Sequence, residues 1–490
     1  MKSVSFVVIL IFFFLQGHSQ TTNTSPPYIK DLVIYEIAPK GFTSPAGPES
    51  GTFKSTAEKM PYLKKLGINS IWLTGHNWAD ANHFYGIWTQ YATIRPDSID
   101  PTLGTPKDFK LLVETAHRNG IKVFLDVITH GVMSYSPLIK QHPNWFKGGS
   151  WGMTDYDWKG NHKDLDDWWV KTWTDYVFNY GIDGFRLDVS IFRADLWKRI
   201  KELAAKRGHS IVVFNETREP FTEGAFDFYQ RYAMIQNQVR PNIYTAPLFL
   251  NNVARYFNTD TVRQNYYYSI QLSCHDNGWM KFPAGVNPYV TEGSRCLFGY
   301  STLFTPAIPI FMSGEEFNAD FKPLPRLSPD LFGKTPPGDS SRWLYGSWIQ
   351  WNQLQEPDKK AMWNDVQHML SIRTREKSII HVIMPGDKVK RILPVEGNYD
   401  EGIPVPYLLW NKNTAILVAG NPGIDKDIEL TLNIPLAKAG LLQSKFRVTD
   451  LWNDGKPVVM TKTALQQFVI KIKKDKQPKG GLAVYKIEGI

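Results

Sequence analysis

Short apolar runs alternate with one-faced helical periods along the first 380 residues. Leu32-Val-Ile-Tyr-Glu36 is an unbroken apolar run closed by an acid, which reads as a buried strand. Ser55-Thr-Ala-Glu58 has capping-box spacing and opens a helix that Gly67 ends, and Ser70-Ile-Trp-Leu73 follows as a second strand. The unit repeats. Thr105-Pro-Lys-Asp108 begins a helix with Phe109, Leu112 and Ala116 on one face, Gly120 stops it, and Lys122-Val-Phe-Leu-Asp126 is a third strand. Residues 131–163 lose the period and are rich in Gly, Pro, Trp and Tyr, too long for a simple connection, so they read as a lobe inserted above the strand ends. A helix from about Leu165 to Tyr180 leads into Gly184-Phe-Arg-Leu-Asp188, and another from about Asp195 to Lys206 leads into Ile211-Val-Val-Phe-Asn-Glu216. Ala225–Tyr229, Tyr268–Ser273 and Ala307–Phe311 bring the strands to eight. Eight strands with intervening helices predict an α/β chain folded as a (β/α)8 barrel.

The texture changes after Ile380. Met362, Val366, Met369 and Leu370 face one side of a last helix. Short strands then follow at 408–410, 415–419, 428–434, 446–448, 468–472 and 482–485, separated by turn residues. The expected organisation is a barrel over 28–380, including the lobe 131–163, and an antiparallel β-sandwich over 381–490.

Composition adds an address. Lys2 is followed by an apolar run from Phe6 to Leu15 and then by small residues up to Ser19, the layout of a secretory signal cleaved after about residue 19. The run is too short to span a membrane and no other apolar stretch is longer, so a secreted or periplasmic protein without an integral membrane segment is expected. With only Cys274 and Cys296, no disulfide framework organises the fold, and two buried thiols are expected. The formal charge is +9, or +8 without Lys2. The basic residues are scattered, and the densest run, Lys471–Lys476, reads as a guarded strand edge rather than a nucleic-acid site.

The chemistry lies at the strand ends. The third predicted strand ends in Asp126, the fourth in Arg186 and Asp188, and the fifth in Glu216, while the seventh runs into His275-Asp276. Any one of these acids is most simply a cap or an ion pair. Four strands delivering acids to one rim cost stability through like-charge repulsion, which argues for use. Paired carboxyls are what glycoside hydrolysis needs. Asp188 beside Arg186 is expected to stay ionised as the nucleophile. Glu216, after apolar Val212, Val213 and Phe214, is placed to hold a proton as the acid, and Asp276 to bind sugar hydroxyls.

These residues resemble the α-amylase superfamily, glycoside hydrolase family 13. Gly184-Phe-Arg-Leu-Asp188 is similar to the family's nucleophile motif, Asn215-Glu216 to its acid/base, and His275-Asp276 to its His-Asp pair. Gly67–Leu73, Ile99–Thr105 and Asp164-Leu-Asp166 support the match. The resemblance implies a retaining mechanism on α-linked glucosides, with catalytic Asp188, Glu216 and Asp276 and with Arg186, His275 and Asp126 around the substrate. Two places depart from the pattern. Asp126-Val-Ile-Thr-His130-Gly131 puts His130 where a calcium-binding Asn usually stands, and Gly131 where a His contacts the sugar's primary hydroxyl. Hard cations prefer oxygen, so no metal and no cofactor is expected, and His130 becomes a candidate substrate contact. Phe84-Tyr-Gly-Ile-Trp88 replaces a His-Gly-Tyr-Asp string, which leaves Tyr85 or Trp88 as the sugar-stacking platform or as plain packing.

Of the many tryptophans, Trp168, Trp169 and Trp173 belong to the helix that covers the barrel. Trp151 and Trp158, in the lobe, are the fairer candidates for stacking sugars. His83 and His142 have no evident partner, and Glu315-Glu316 reads as structural. The leading reading is a hydrolase of α-glucans or α-glucosides whose partner is an oligosaccharide or polysaccharide. A transglycosidase or isomerase with the same carboxylates, or a non-catalytic carbohydrate-binding protein, are the alternatives.

Overall fold

A computed structural model describes residues 26, 28–81, 86–189, 192–216, 223–225, 267–271, 275, 294–303, 307–324, 345–381, 391–400 and 403–490. In chain order the first twelve strands are β1 (Ile34–Ile37), β2 (Ser70–Leu73), β3 (Asn77–Ala79), β4 (Thr93–Ile99), β5 (Lys122–Ile128), β6 (Gly131–Met133), β7 (Met153–Asp155), β8 (Gly184–Asp188), β9 (Val212–Asn215), β10 (Gly224–Ala225), β11 (Tyr267–Gln271) and β12 (Ala307–Met312). Eight of them close into an all-parallel barrel in the order β1-β12-β11-β10-β9-β8-β5-β2.

Strand alternation decides what fills the barrel. Ile34, Trp72, Phe124, Val212, Phe214, Ile308 and Ile310 form one buried interior cluster. Their neighbours in sequence, such as Tyr35, Ile71, Val123, Leu125, Val213 and Phe311, belong to the larger core shared with the surrounding helices. Because the period is two, the same inward face continues at the C-terminal strand ends through Glu36, Asp126 and Glu216. Polar groups are thereby collected at one mouth of a lumen that is otherwise packed with side chains.

Helix starts follow local chemistry. The helix Pro106–Arg118 has Thr105 as N-cap in a reciprocal box with Asp108, as its spacing predicts. Upstream, the box is formed by Thr52 and Ser55, so the first helix is Phe53–Ala57, with Glu58 closing it, and a second short helix runs Met60–Leu66. The expected box from Ser55 to Glu58 is therefore corrected: Ser55 supplies the returning side chain and does not cap. A hairpin of β3 and β4 between the second strand and the Pro106 helix was not anticipated. The lobe after β5 is organised by antiparallel pairing of β6 with β7. Of the expected sixth strand only Ala225 is described, paired as part of Gly224–Ala225; residues 226–229, and Leu272 and Ser273 of the expected seventh, lie outside the described residues.

Beyond β13 (Phe321–Pro323) and β14 (Ser347–Ile349), a paired hairpin, the helix Pro357–Arg375 leads to the C-terminal sheets. Strands β15 (Ile392–Pro394), β16 (Glu396–Gly397), β17 (Tyr407–Asn411), β18 (Thr414–Gly420), β19 (Ile428–Asn433), β20 (Lys445–Asp450), β21 (Val458–Thr461), β22 (Phe468–Ile472) and β23 (Leu482–Gly489) form antiparallel sheets of order β15-β17-β18-β23-β20-β21 and β16-β19-β22. Alternation again divides the labour. Leu409, Ile416, Val418 and Val484 join the barrel core, whereas Leu408, Ala415, Leu417, Ala483 and Ile487 pack with Leu430, Ile470 and Ile472 of the smaller sheet. No helix among the described residues is long and apolar enough to cross a membrane.

Candidate active site

One guanidinium organises the barrel mouth. Arg186, buried on β8, reaches Asp126 Oδ1 at 3.0 Å and Asp188 Oδ1 at 2.6 Å through Nη1, and Glu216 Oε2 at 3.4 Å through Nη2. The β5–β8 register puts Asp126 beside Arg186, and the β8–β9 register puts Asn215, which precedes Glu216, beside Leu187. Three carboxylates from three adjacent strands therefore converge on one cation, which lies 5.1 Å from the Trp72 ring. Burial works against the charge of Arg186, but Asp126, Tyr91, Glu216 and Asp188 together hold its pKa above the ordinary arginine value.

Asp188 departs from the expected electrostatics. Burial raises its pKa, Arg186 opposes the rise, and Glu216 and Asp126 add to it, so that it is pushed up to about 7. The simple expectation that Arg186 keeps it ionised omits two further carboxylates on the same guanidinium. Its backbone carbonyl accepts a hydrogen bond from Thr129 Oγ1 at 2.6 Å. The next residue, Val189, has φ +64°, rare for a β-branched side chain. In that conformation its N–H donates to Glu216 Oε2 at 2.7 Å.

Two further residues hold the site and are not flagged by motif. Glu36, at the end of β1 and fully buried, lies 2.6 Å through Oε1 from His275 Nδ1. Counting by twos from the inward Ile34 reaches Glu36, so the strand pattern carried that signal. Tyr91 stacks on His275, with centroids 4.7 Å apart and planes at 22°, and donates its hydroxyl to Asp126 Oδ2 at 2.6 Å. Its phenol is pushed well above the ordinary tyrosine pKa by burial and by Asp126, so it remains a donor. No sequence signal distinguishes Tyr91 from packing.

The remaining candidates separate. Asp276 and Tyr85 lie outside the described residues, as do His83 and Cys274. Cys296 is buried. Trp88 is a correction: its indole is only 2% exposed, gives its N–H to Asp100 at 2.9 Å and packs towards Tyr345, so it presents no face to a sugar. His130 stands at the rim with Nδ1 3.3 Å from Asp155 and its ring edge-on to Trp151. Burial lowers its pKa, which leaves it neutral at pH 7. Committed to Asp155 and Trp151, His130 is a poor stand-in for an oxygen ligand. Trp169 and Trp173 are buried against the barrel, Trp158 donates to Thr129 O, and Trp151 is 66% exposed. His142 stacks on Trp145, and Glu316 accepts from Tyr35 and Tyr62 as a structural acid.

Comparison with known proteins agrees with this arrangement. The family model "Alpha amylase, catalytic domain" matches residues 36–140. The chain is 25% identical over 255 residues to an intracellular maltogenic amylase of Bacillus subtilis, covering 42% of each chain. It is 29% identical over 209 residues to a maltogenic alpha-amylase of Bacillus acidopullulyticus, covering 34% of this chain and 35% of that one. The matched segment thus spans less than half the length of these curated relatives. In fold, it superposes on a noncanonic maltogenic alpha-amylase of Thermotoga neapolitana with a TM-score of 0.65 at 19% identity, covering 93% of this chain and 99% of that one. The trehalose-6-phosphate hydrolase of Bacillus licheniformis gives 0.64 at 16% identity, covering 94% and 100%. With the barrel and the strand-end carboxylates in place, residues 36–140 match the α-amylase catalytic domain, and the whole fold is similar to that of solved α-amylases.

Proposed function

We propose that the protein is a retaining α-glycosidase acting on α-linked glucans or α-glucosides. The observation that carries this reading is the placement of Asp188 and Glu216, from adjacent strands, on a single buried guanidinium. In the proposed reaction the Asp188 carboxylate attacks the anomeric carbon while Glu216 gives its proton to the departing glycosidic oxygen. The covalent glycosyl ester is then cleaved by water, from which Glu216 takes a proton back. Asp126 and Arg186 set the charge around the nucleophile, Glu36 and Tyr91 fix the His275 ring, and Asp276 serves as the third carboxylate.

Turnover of α-linked gluco-oligosaccharides by the wild type and by Asp188→Ala tests the assignment. The variant is expected to keep the wild-type circular dichroism and to lose at least about 10³-fold in kcat. Proton NMR of the first-formed sugar should show retained anomeric configuration; inversion, or undiminished turnover by the variant, would overturn the reading. Free reducing sugar is the expected product, and a new glycoside in its place would make the protein a transferase.

Export forms part of the same proposal, supported by Lys2, the apolar run Phe6–Leu15 and the small residues before Gln20. N-terminal sequencing of protein recovered outside the cytoplasm should begin near Gln20.

A further inference from the structure

We infer that Trp151 forms a separate sugar-binding subsite beside the cleavage point, so that the preferred substrate is an oligosaccharide longer than a disaccharide. The inference rests on the glycosidase reading above and deepens it. Trp151 is the most exposed tryptophan described, 66% open to solvent, in a chain that buries Trp88, Trp145, Trp169, Trp173, Trp197 and Trp452. Its backbone is costly as well. Met153 N–H donates to Ser150 O at 2.9 Å, closing a four-residue turn whose central residues, Trp151 and Gly152, have φ +53° and +76°. Asn-Gly is the sequence such a turn favours, and a bulky side chain at its first central position is strained. Local preference and burial both argue against tryptophan here, which makes its use as a contact surface the economical explanation.

Position supplies the ligand class. β6 and β7 pin the turn, with Ser134 N–H on Gly152 O at 3.0 Å. The Trp151 ring meets the His130 ring edge to face at 5.9 Å. His130 follows Thr129, whose hydroxyl holds the Asp188 carbonyl, and Ile128 before it pairs with Asp188 in the β5–β8 register. The indole therefore stands against His130, two residues beyond the strand position that pairs with the proposed nucleophile, and is backed by that imidazole. A pyranose presents a flat face of C–H groups to such a ring and its hydroxyls to the rim, so the occupant is a glucosyl unit of the same chain whose neighbour is being cleaved.

Trp151→Asn gives the discriminating experiment, because asparagine relaxes the turn and should leave the melting temperature equal or higher. kcat/KM would be measured on α-linked gluco-oligosaccharides of two to six units, with Trp151→Tyr as the conservative control. The expected result is a loss of about tenfold on the longer substrates, carried by KM, with the disaccharide within about twofold of wild type and partial recovery in Trp151→Tyr. An equal loss at every length would overturn the subsite in favour of a purely structural role, and no loss at any length would overturn it outright. Calorimetric binding to Asp188→Ala, with and without Trp151→Asn, separates this inference from the catalytic one. If the wild type turns over no substrate but Trp151→Asn still weakens long-chain binding, the subsite stands and the hydrolase reading falls. Absence of binding at every length sinks both.

Discussion

Arg186 carries most of the electrostatic burden of the site, and its replacement has a direct outcome. Arg186→Met keeps the side-chain volume but leaves Asp126, Asp188 and Glu216 facing one another without a cation. Breaking a buried pair in this way is expected to cost about 3–5 kcal/mol of stability, read from urea unfolding midpoints, along with activity. The raised pKa of Asp188 makes a second prediction. A nucleophile must be ionised, so with its pKa at about 7 the charged fraction falls as the pH drops below that value, and kcat/KM should show an acid limb there. Glu216→Gln removes one of the charges that raise Asp188. With α-glucosyl fluoride, whose leaving group needs no acid, the limb should move to lower pH; a limb that stays put would contradict the coupling. At this scale the sequence was legible where charge broke an apolar strand, at Asp126, Arg186, Asp188 and Glu216. It was opaque where an ordinary aromatic took on a role through its partners, as Tyr91 does, and undecided at Trp88, because an indole in a loop reads the same whether it is exposed or buried.

Elements were legible in proportion to how local their causes are. The Thr105–Asp108 box is a four-residue affair and was readable, whereas the earlier box was misplaced because Thr52, Ser55 and Glu58 all have side chains able to cap. The helix Ser294–Leu303 takes its cap from far away. Asp475, some 180 residues on, accepts the Arg295 and Cys296 N–H groups at 3.1 and 2.7 Å, and Arg295 also reaches Asp365 at 2.7 Å. No window of sequence reveals such a cap. Asp475→Ala should orphan both buried amides and cost about 1–3 kcal/mol, measured by chemical denaturation, with kcat near wild type in the folded fraction.

Across the whole molecule, the larger C-terminal sheet serves two cores at once, one face on the barrel helices and one on the smaller sheet. Tyr300 packs edge-on against Tyr407, and His368 bonds the Leu451 carbonyl at 2.9 Å, so polar groups as well as apolar ones close the contact. A chain ending at His381 should expose this surface and be recovered as aggregate, which size-exclusion chromatography and circular dichroism would show. Alternating runs predicted these strands well, but not which face meets the barrel, because both faces are apolar. Gly131, finally, bears on what the lobe can tolerate. A Cβ there would lie 2.2 Å from the Thr154 carbonyl oxygen of the facing strand. A histidine at 131, which the resemblance to the α-amylase family would place there, would fit only if the β6–β7 pairing opened first. Glycine at 131 is therefore a condition of the pairing with 153–155, and any side chain there would loosen the lobe that carries Trp151.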